Sequence, residues 1–344
     1  MLLKKANLQF LLLLLLIAAI LGAAYGAILD HFIRSNLTAN SFLLGALRGL
    51  IMVAIVIVLE SALAYSRVGR QLRLLPFSVS LIIRSATTTI VLMLAITCSR
   101  LVISRQDHSI EQWIESGMLR DFVFVAIVAF SIHFSIQITR IVGGKTFLYF
   151  LLGRYNQPVV EQRIFMLIDI VGSTSIAHQL GEKNALGLFA QFFFDISQPI
   201  KEYGGETDLY IGDEVVVSWP LADEISNARF LHCYFALCDV LNENQAVYEK
   251  KYGHKIGIRV GVHGGPVAVG ECGDAKRQVV LVGDTINVAK RLQESCKELN
   301  LNILTSGKLL ELTKLPDGIT KKSFGKRTLR GRDSKTELFT LISQ

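Results

Sequence analysis

The sequence predicts an all-α transmembrane bundle of four spans followed by an α+β domain, and three observations carry that prediction. Apolar residues make up 51% of the 344 and concentrate in the first 140. A hydrocarbon core about 30 Å thick takes about 20 apolar residues in a helix, and several uncharged runs of that length precede residue 141. From Arg163 onward the pattern changes to short β-rich runs alternating with helical periodicity and divided by Gly and Asp turns.

The first run, FLLLLLLIAAILGAAYGAIL (10–29), holds no charge. Lys4 and Lys5 in front of it suggest a signal peptide. The run is long, however, it ends without a small-residue cleavage site, and further spans follow at 43–65, 76–98 and 122–140, so an uncleaved span is predicted. Lys4 and Lys5 share one side with Arg67, Arg70 and Arg73 between spans two and three, and with Arg140, Lys145 and Arg154 after span four. The opposite loops balance their charges. The positive-inside rule then predicts a multi-pass protein of the cell (inner) membrane with both termini in the cytoplasm. Arg48, Glu60 and Arg84 are ionisable groups placed within spans, where such groups are rare and paired. Glu60 and Arg84 fall in the cytoplasmic halves of neighbouring spans, and a structural pair is the preferred reading. His133 in span four reads as a helix-packing donor. The spans carry no pattern that names a sensory ligand or membrane partner.

Two function classes recede on composition. The net charge of +7 is dispersed, with no basic helix interleaved with aromatics, so no nucleic-acid partner is expected. The five cysteines (98, 233, 238, 272, 296) lack metal-ligand spacing and read as reduced thiols.

Residues 142–161 form the joint. Gly143-Gly144 permits a bend after span four, and FLYFLLGRY is too short to cross a bilayer, so it is predicted as a short apolar helix ending near Pro158. The catalytic segment is expected from 162 to 344. RIFMLIDIV reads as a strand and 174–203 as one or two helices. ETDLYIGDEVVVSWP reads as a hairpin folded at Gly212-Asp213, 224–250 as a helix, 256–270 as a long strand, 277–282 as a strand, and TINVAKRLQESCKEL as a helix. The whole suggests helices outside a mostly antiparallel sheet.

Asp169 is a bare carboxylate in an otherwise apolar strand, and burying it unpaired would cost several kcal/mol or about that order. If its strand neighbours the hairpin, Asp169 and Asp213 meet at one sheet end, as two-metal phosphoryl chemistry requires. Gly172, Ser173 and Thr174 open the next helix, whose free N–H groups make an anion seat. Asn287 and Arg291, four residues apart, share one helix face suited to a sugar and a phosphate oxygen.

The segments FMLIDIVGST, YIGDEVV, VGVHGGPVAVGECG and VGDTINVAKRLQ resemble the signature segments of class III nucleotidyl cyclases, and within that class the membrane-anchored bacterial adenylate cyclases. The resemblance implies a ferredoxin-like α+β catalytic domain that converts ATP to cyclic AMP and pyrophosphate. It implies that Asp169, Asp213 and the carbonyl of Ile170 bind two Mg²⁺ or Mn²⁺ ions. It assigns ribose orientation to Asn287, the α-phosphate to Arg291 and the terminal phosphates to Arg330. It also implies a homodimer in which each site takes its Asp pair from one chain and Asn287 and Arg291 from the other. The family's base-reading positions fall on Leu209 and Val280, both apolar here, so ATP rests on the subgroup likeness. A guanylate cyclase and a non-catalytic nucleotide-binding membrane receptor are the competing readings. The joint presence of Asp169, Asp213, Asn287 and Arg291 weighs against the receptor.

Overall fold

The structure is a computed structural model that describes residues 15–16, 18–28, 39–103, 113–115, 117–143, 149, 152–275, 277–330 and 335–343. The chain divides into two compact units, Met1–Gly153 and Arg154–Gln344.

In the first unit, helices α1 (Ala18–Ile28), α2 (Ala39–Tyr65), α3 (Arg67–Leu74), α4 (Phe77–Ile103) and α5 (Met118–Val142) follow in order. Among the described residues three of them are long and apolar enough to cross a membrane, over Gly45–Ala62, Phe77–Cys98 and Met118–Thr139. The first of the four expected spans is not confirmed by the described residues. At 1.5 Å rise per residue the described part of α1 covers about 16 Å, and residues 10–14, 17 and 29 of the predicted first span lie outside the described residues. Val56 of α2, Leu92 of α4 and Val125 of α5 form the buried apolar contact of this unit. Beside it, Arg84 Nη1 donates to Glu60 Oε1 at 2.6 Å. His133 Nδ1 lies 3.2 Å from the same oxygen, and its Nε2 is 2.7 Å from Thr88 Oγ1. Each of the three long helices thus contributes one ionisable side chain to a single buried cluster, while Arg48 is exposed on α2.

Within the joint the described residues are 142–143, 149 and 152–161, and most of the predicted apolar helix FLYFLL lies outside them. The second unit begins at Arg154, and its first strand, β1 (Val159–Ile170), starts inside the segment expected as linker. The reason is pairing: Val159 to Gln162 are in register with Val269 to Pro266 of β4 (Ile258–Cys272).

Between β1 and β4 come α6 (Ser173–Leu180), α7 (Glu182–Glu202), β2 (Glu206–Ile211), β3 (Glu214–Pro220), α8 (Leu221–Glu224) and α9 (Arg229–Tyr252). After β4 follow β5 (Gln278–Val282), α10 (Asp284–Leu299), β6 (Ile303–Ser306), α11 (Gly307–Leu312), β7 (Ile319–Thr328) and β8 (Lys335–Ser343). The sheet order is β2-β3-β1-β4-β6-β8-β7, with β5 paired to β4 off that path. All pairs are antiparallel except β4 with β6. The first four strands in their order β2-β3-β1-β4, with crossover helices after β1 and β3, make a ferredoxin-like core.

Both faces of β1 are covered, which explains its continuous apolar run. Ile164, Met166, Ile168 and Ile170 join Leu188, Phe192 and Ile196 of α7 and Leu237 of α9 in the main core. Side chains alternate along a strand, so Asp169 points to the other face, where α10 packs. That packing is close: a Cβ on Gly261 of β4 would stand 2.1 Å from the Ala289 carbonyl oxygen and 2.4 Å from the Gln293 nitrogen. Only glycine lets α10 lie this near the sheet.

Candidate active site

Asp169 is the penultimate residue of β1, and Asp213 lies in the turn between β2 and β3. Because β1 and β3 are antiparallel neighbours, with Ile168 opposite Val215, the end of β1 arrives at the start of β3. The two carboxyls predicted to meet do meet. Burial, then a hydrogen bond with Asp213 and the charge of Asp213, push the Asp169 pKa up to about 7, against a smaller opposing pull from Lys290. A hydrogen bond between two carboxyls requires a proton on one of them, as expected when like charges crowd a site. Asp213 Oδ2 is buried and, apart from the Asp169 carboxyl, has no hydrogen-bond partner among the described residues.

Helix α10 supplies the surrounding groups. Gln293, buried, donates from Nε2 to Asp169 Oδ2 at 2.9 Å. Lys290 Nζ lies 2.5 Å from Oε2 of Glu214, the buried neighbour of Asp213 in the chain. Sequence reasoning singled out neither Gln293 nor Lys290. Their i, i+3 spacing beside Asn287 and Arg291 is the only signal in the chain, and it names no target.

The other expected residues distribute as follows. Ile170 closes β1 next to Asp169. Gly172 stands before α6 at φ 72°, a left-handed conformation that suits glycine, and Ser173 and Thr174 form the first turn. Asn287 is exposed on α10, and Arg291 Nη1 donates to Glu294 Oε2 at 2.7 Å. Among the described residues neither hydrogen-bonds to Asp169 or Asp213, so one chain brings the acids together without Asn287 and Arg291. Leu209 is 45% exposed on β2, Val280 is half-buried on β5, and Arg330 is exposed in the turn after β7. A cavity of about 620 Å³, lined by His263, Gly265, Thr285, Lys308 and Glu337, includes neither carboxylate.

The acid pair suits a hard divalent cation. Its donors are all oxygens, two carboxylates and the carbonyl end of β1, and one carboxylate oxygen is buried with no donor but the neighbouring acid. Among the described residues no group of three or more His, Cys, Asp or Glu forms a full protein cage. Two carboxylates with substrate oxygens completing the shell is the arrangement Mg²⁺ commonly takes.

The chain is 30% identical over 225 residues to adenylate cyclase 2 of Rhizobium meliloti (strain 1021), a match covering 65% of this chain and 62% of that one. It is 24% identical over 180 residues to adenylate cyclase 1 of the same organism, covering 52% and 27%. It therefore spans less than two thirds of the length of either relative. A solved bacterial light-regulated adenylyl cyclase superposes with a TM-score of 0.53 at 19% identity, over 70% of this chain and 66% of that one, which shows a shared fold. Residues 157–343, more than half of the chain, match the adenylate and guanylate cyclase catalytic domain. By that match this chain belongs to the adenylate and guanylate cyclase catalytic domain family.

Proposed function

We propose that the chain is a membrane-anchored adenylate cyclase that closes ATP to cyclic AMP and releases pyrophosphate at a site shared between two copies. The observation that carries the proposal is the half-buried Asp169–Asp213 pair, in which Asp213 Oδ2 is buried with no donor but the neighbouring acid. Asp169, Asp213 and the carbonyl of Ile170 would hold two Mg²⁺ or Mn²⁺ ions. The chemistry such ions supply when bound is charge neutralisation at the α-phosphate and acidification of the ribose 3′-hydroxyl.

The rest is positioning by the chain itself. The first N–H groups of α6, over Gly172, Ser173 and Thr174, lack helical partners and follow Asp169 by three to five residues, a seat for phosphate oxygens. Asn287 orients the ribose so that its 3′-oxygen stands in line with the α-phosphorus. Arg291, released from Glu294, stabilises charge gathering on the α-phosphate oxygens during in-line displacement. Arg330 takes the terminal phosphates that leave as pyrophosphate. Because Asn287 and Arg291 make no hydrogen bond to the acids of their own chain among the described residues, a head-to-tail dimer is the arrangement that unites both halves. The apolar Leu209 and Val280 leave the base edge without a hydrogen-bonding reader, and the choice of ATP follows the adenylate cyclase relatives. Helices α2, α4 and α5 anchor the chain in the inner membrane, with the catalytic domain in the cytoplasm.

The test is turnover of labelled ATP and GTP by the purified full-length protein with Mn²⁺. Cyclic AMP as the main product supports the proposal, and cyclic GMP would make the chain a guanylate cyclase. Nucleotide binding without either product would leave only a receptor.

A further inference from the structure

Resting on the metal and dimer reading above, we propose that Gln293, with Lys290 beside it, positions the metal-binding carboxylates of its own chain, so that α10 serves two sites. One face fixes the acids of its own chain, and the other presents Asn287 and Arg291 to the partner's site.

The geometry supports this division. At 3.6 residues per turn, Gln293 lies about a third to nearly half of a turn around α10 from Asn287 and Arg291, and Lys290 stands between the two faces. Gln293 is 4% exposed, and its amide hydrogen-bonds to Asp169 Oδ2 at 2.9 Å. Lys290 holds Glu214, one residue from Asp213, at 2.5 Å. Helix α10 therefore grips the ends of β1 and β3, the two strands that bring the acids together. A buried donor on one carboxylate oxygen fixes the plane of that carboxylate and hence where its free lone pairs point. Gly261 makes the grip possible, since a side chain there would push Gln293 off the sheet. Outer groups of this kind are worth about 10–100-fold in metal affinity.

The experiment uses the full-length protein and Mn²⁺ as probe. Gln293→Met keeps the length and apolar stem of the side chain and removes the donor. Mn²⁺ binding, followed by the paramagnetic resonance of the free ion, is expected to weaken about 10-fold or more. Unchanged affinity overturns the proposal. A second readout uses mixed dimers of an Asp169→Asn chain with an Arg291→Ala chain, in which the one intact site takes its acids from the Arg291→Ala chain. Gln293→Met on that chain should raise the Mn²⁺ concentration for half-maximal turnover about 10-fold, and on the Asp169→Asn chain should leave it unmoved. Equal effects from either chain, the mark of a merely structural role, overturn the proposal. If the mixed dimer forms but recovers no turnover even without Gln293→Met, the shared-site reading fails instead, and the Mn²⁺ binding result alone decides the role of Gln293. Should Gln293→Met not fold, Gln293→Asn carries the same comparisons, because its shorter amide stops short of Asp169.

Discussion

Arg84 Nη1 lies 2.6 Å from Glu60 Oε1, with both side chains buried between apolar helices and His133 Nδ1 3.2 Å from the same carboxylate oxygen. Removing one partner leaves a charge with no solvent to receive it, so Glu60→Leu is expected to destabilise the membrane unit by about 3–5 kcal/mol. Adding Arg84→Met should recover most of that loss, because the remaining charge is gone as well. A double-mutant cycle on denaturation in detergent micelles checks this. A double variant no more stable than Glu60→Leu would mean that the pair is not the source of the loss.

The Asp169 carboxyl binds its proton more tightly in the folded chain, with its pKa pushed from 3.8 to about 7 by burial first and Asp213 second. The stability due to that proton is therefore complete below about pH 4 and is lost as the pH rises through about 7. Metal-free protein should melt at progressively lower temperature across that window, and Asp169→Asn should flatten the slope and raise the melting temperature at pH 8. Turnover by Asp169→Asn or Asp213→Asn should fall by several orders of magnitude. Melting curves in chelator, with activity measured in parallel, test both halves, and near-normal turnover in either variant would remove the metal assignment.

Asn287 is exposed on α10 and Arg291 donates to Glu294, and among the described residues neither hydrogen-bonds to the acids of its own chain. Arg291→Ala and Asn287→Ala should each lower kcat by about 10²–10³ while leaving Mn²⁺ affinity unchanged. Comparing kcat with Mn²⁺ binding in the same preparation separates this from Gln293→Met, which is expected to move the affinity. A loss of Mn²⁺ binding in Arg291→Ala would place that side chain at the acids instead.

Gly261→Ala should be costly for its size. The added carbon meets backbone atoms of Ala289 and Gln293, which cannot swing aside as a side-chain tip would. Overpacking of this kind costs about 1–3 kcal/mol. The displaced α10 should also weaken Mn²⁺ binding, and thermal melting with Mn²⁺ titration reads both. Full stability with full affinity would show that α10 has room to move.

The sequence by itself determined the chemistry-bearing segments and most of the elements that carry them. The hairpin at Gly212-Asp213, the long strand through His263 and the helix of Asn287 and Arg291 all stand where local pattern put them, because turn residues and apolar periodicity act over a few positions. Asp169 was conspicuous for the same reason, as one charge in an apolar run. Glu60 and Arg84 were legible as a pair because hydrocarbon leaves an ionisable group few alternatives.

Only the tertiary structure decided what depends on contacts distant in sequence. That β1 begins at Val159 follows from its register with β4, about a hundred residues on, and no local signal marks it. That His133 joins Glu60 depends on how three helices pack. The role of Gln293 was hidden most completely. Its partner lies 124 residues away, and its approach depends on the missing side chain of Gly261 on a third element. A neutral amide on a helix names no target by itself. Its hydrogen bond is set by where the sheet delivers a carboxylate, and the sheet is set by pairing across the whole domain.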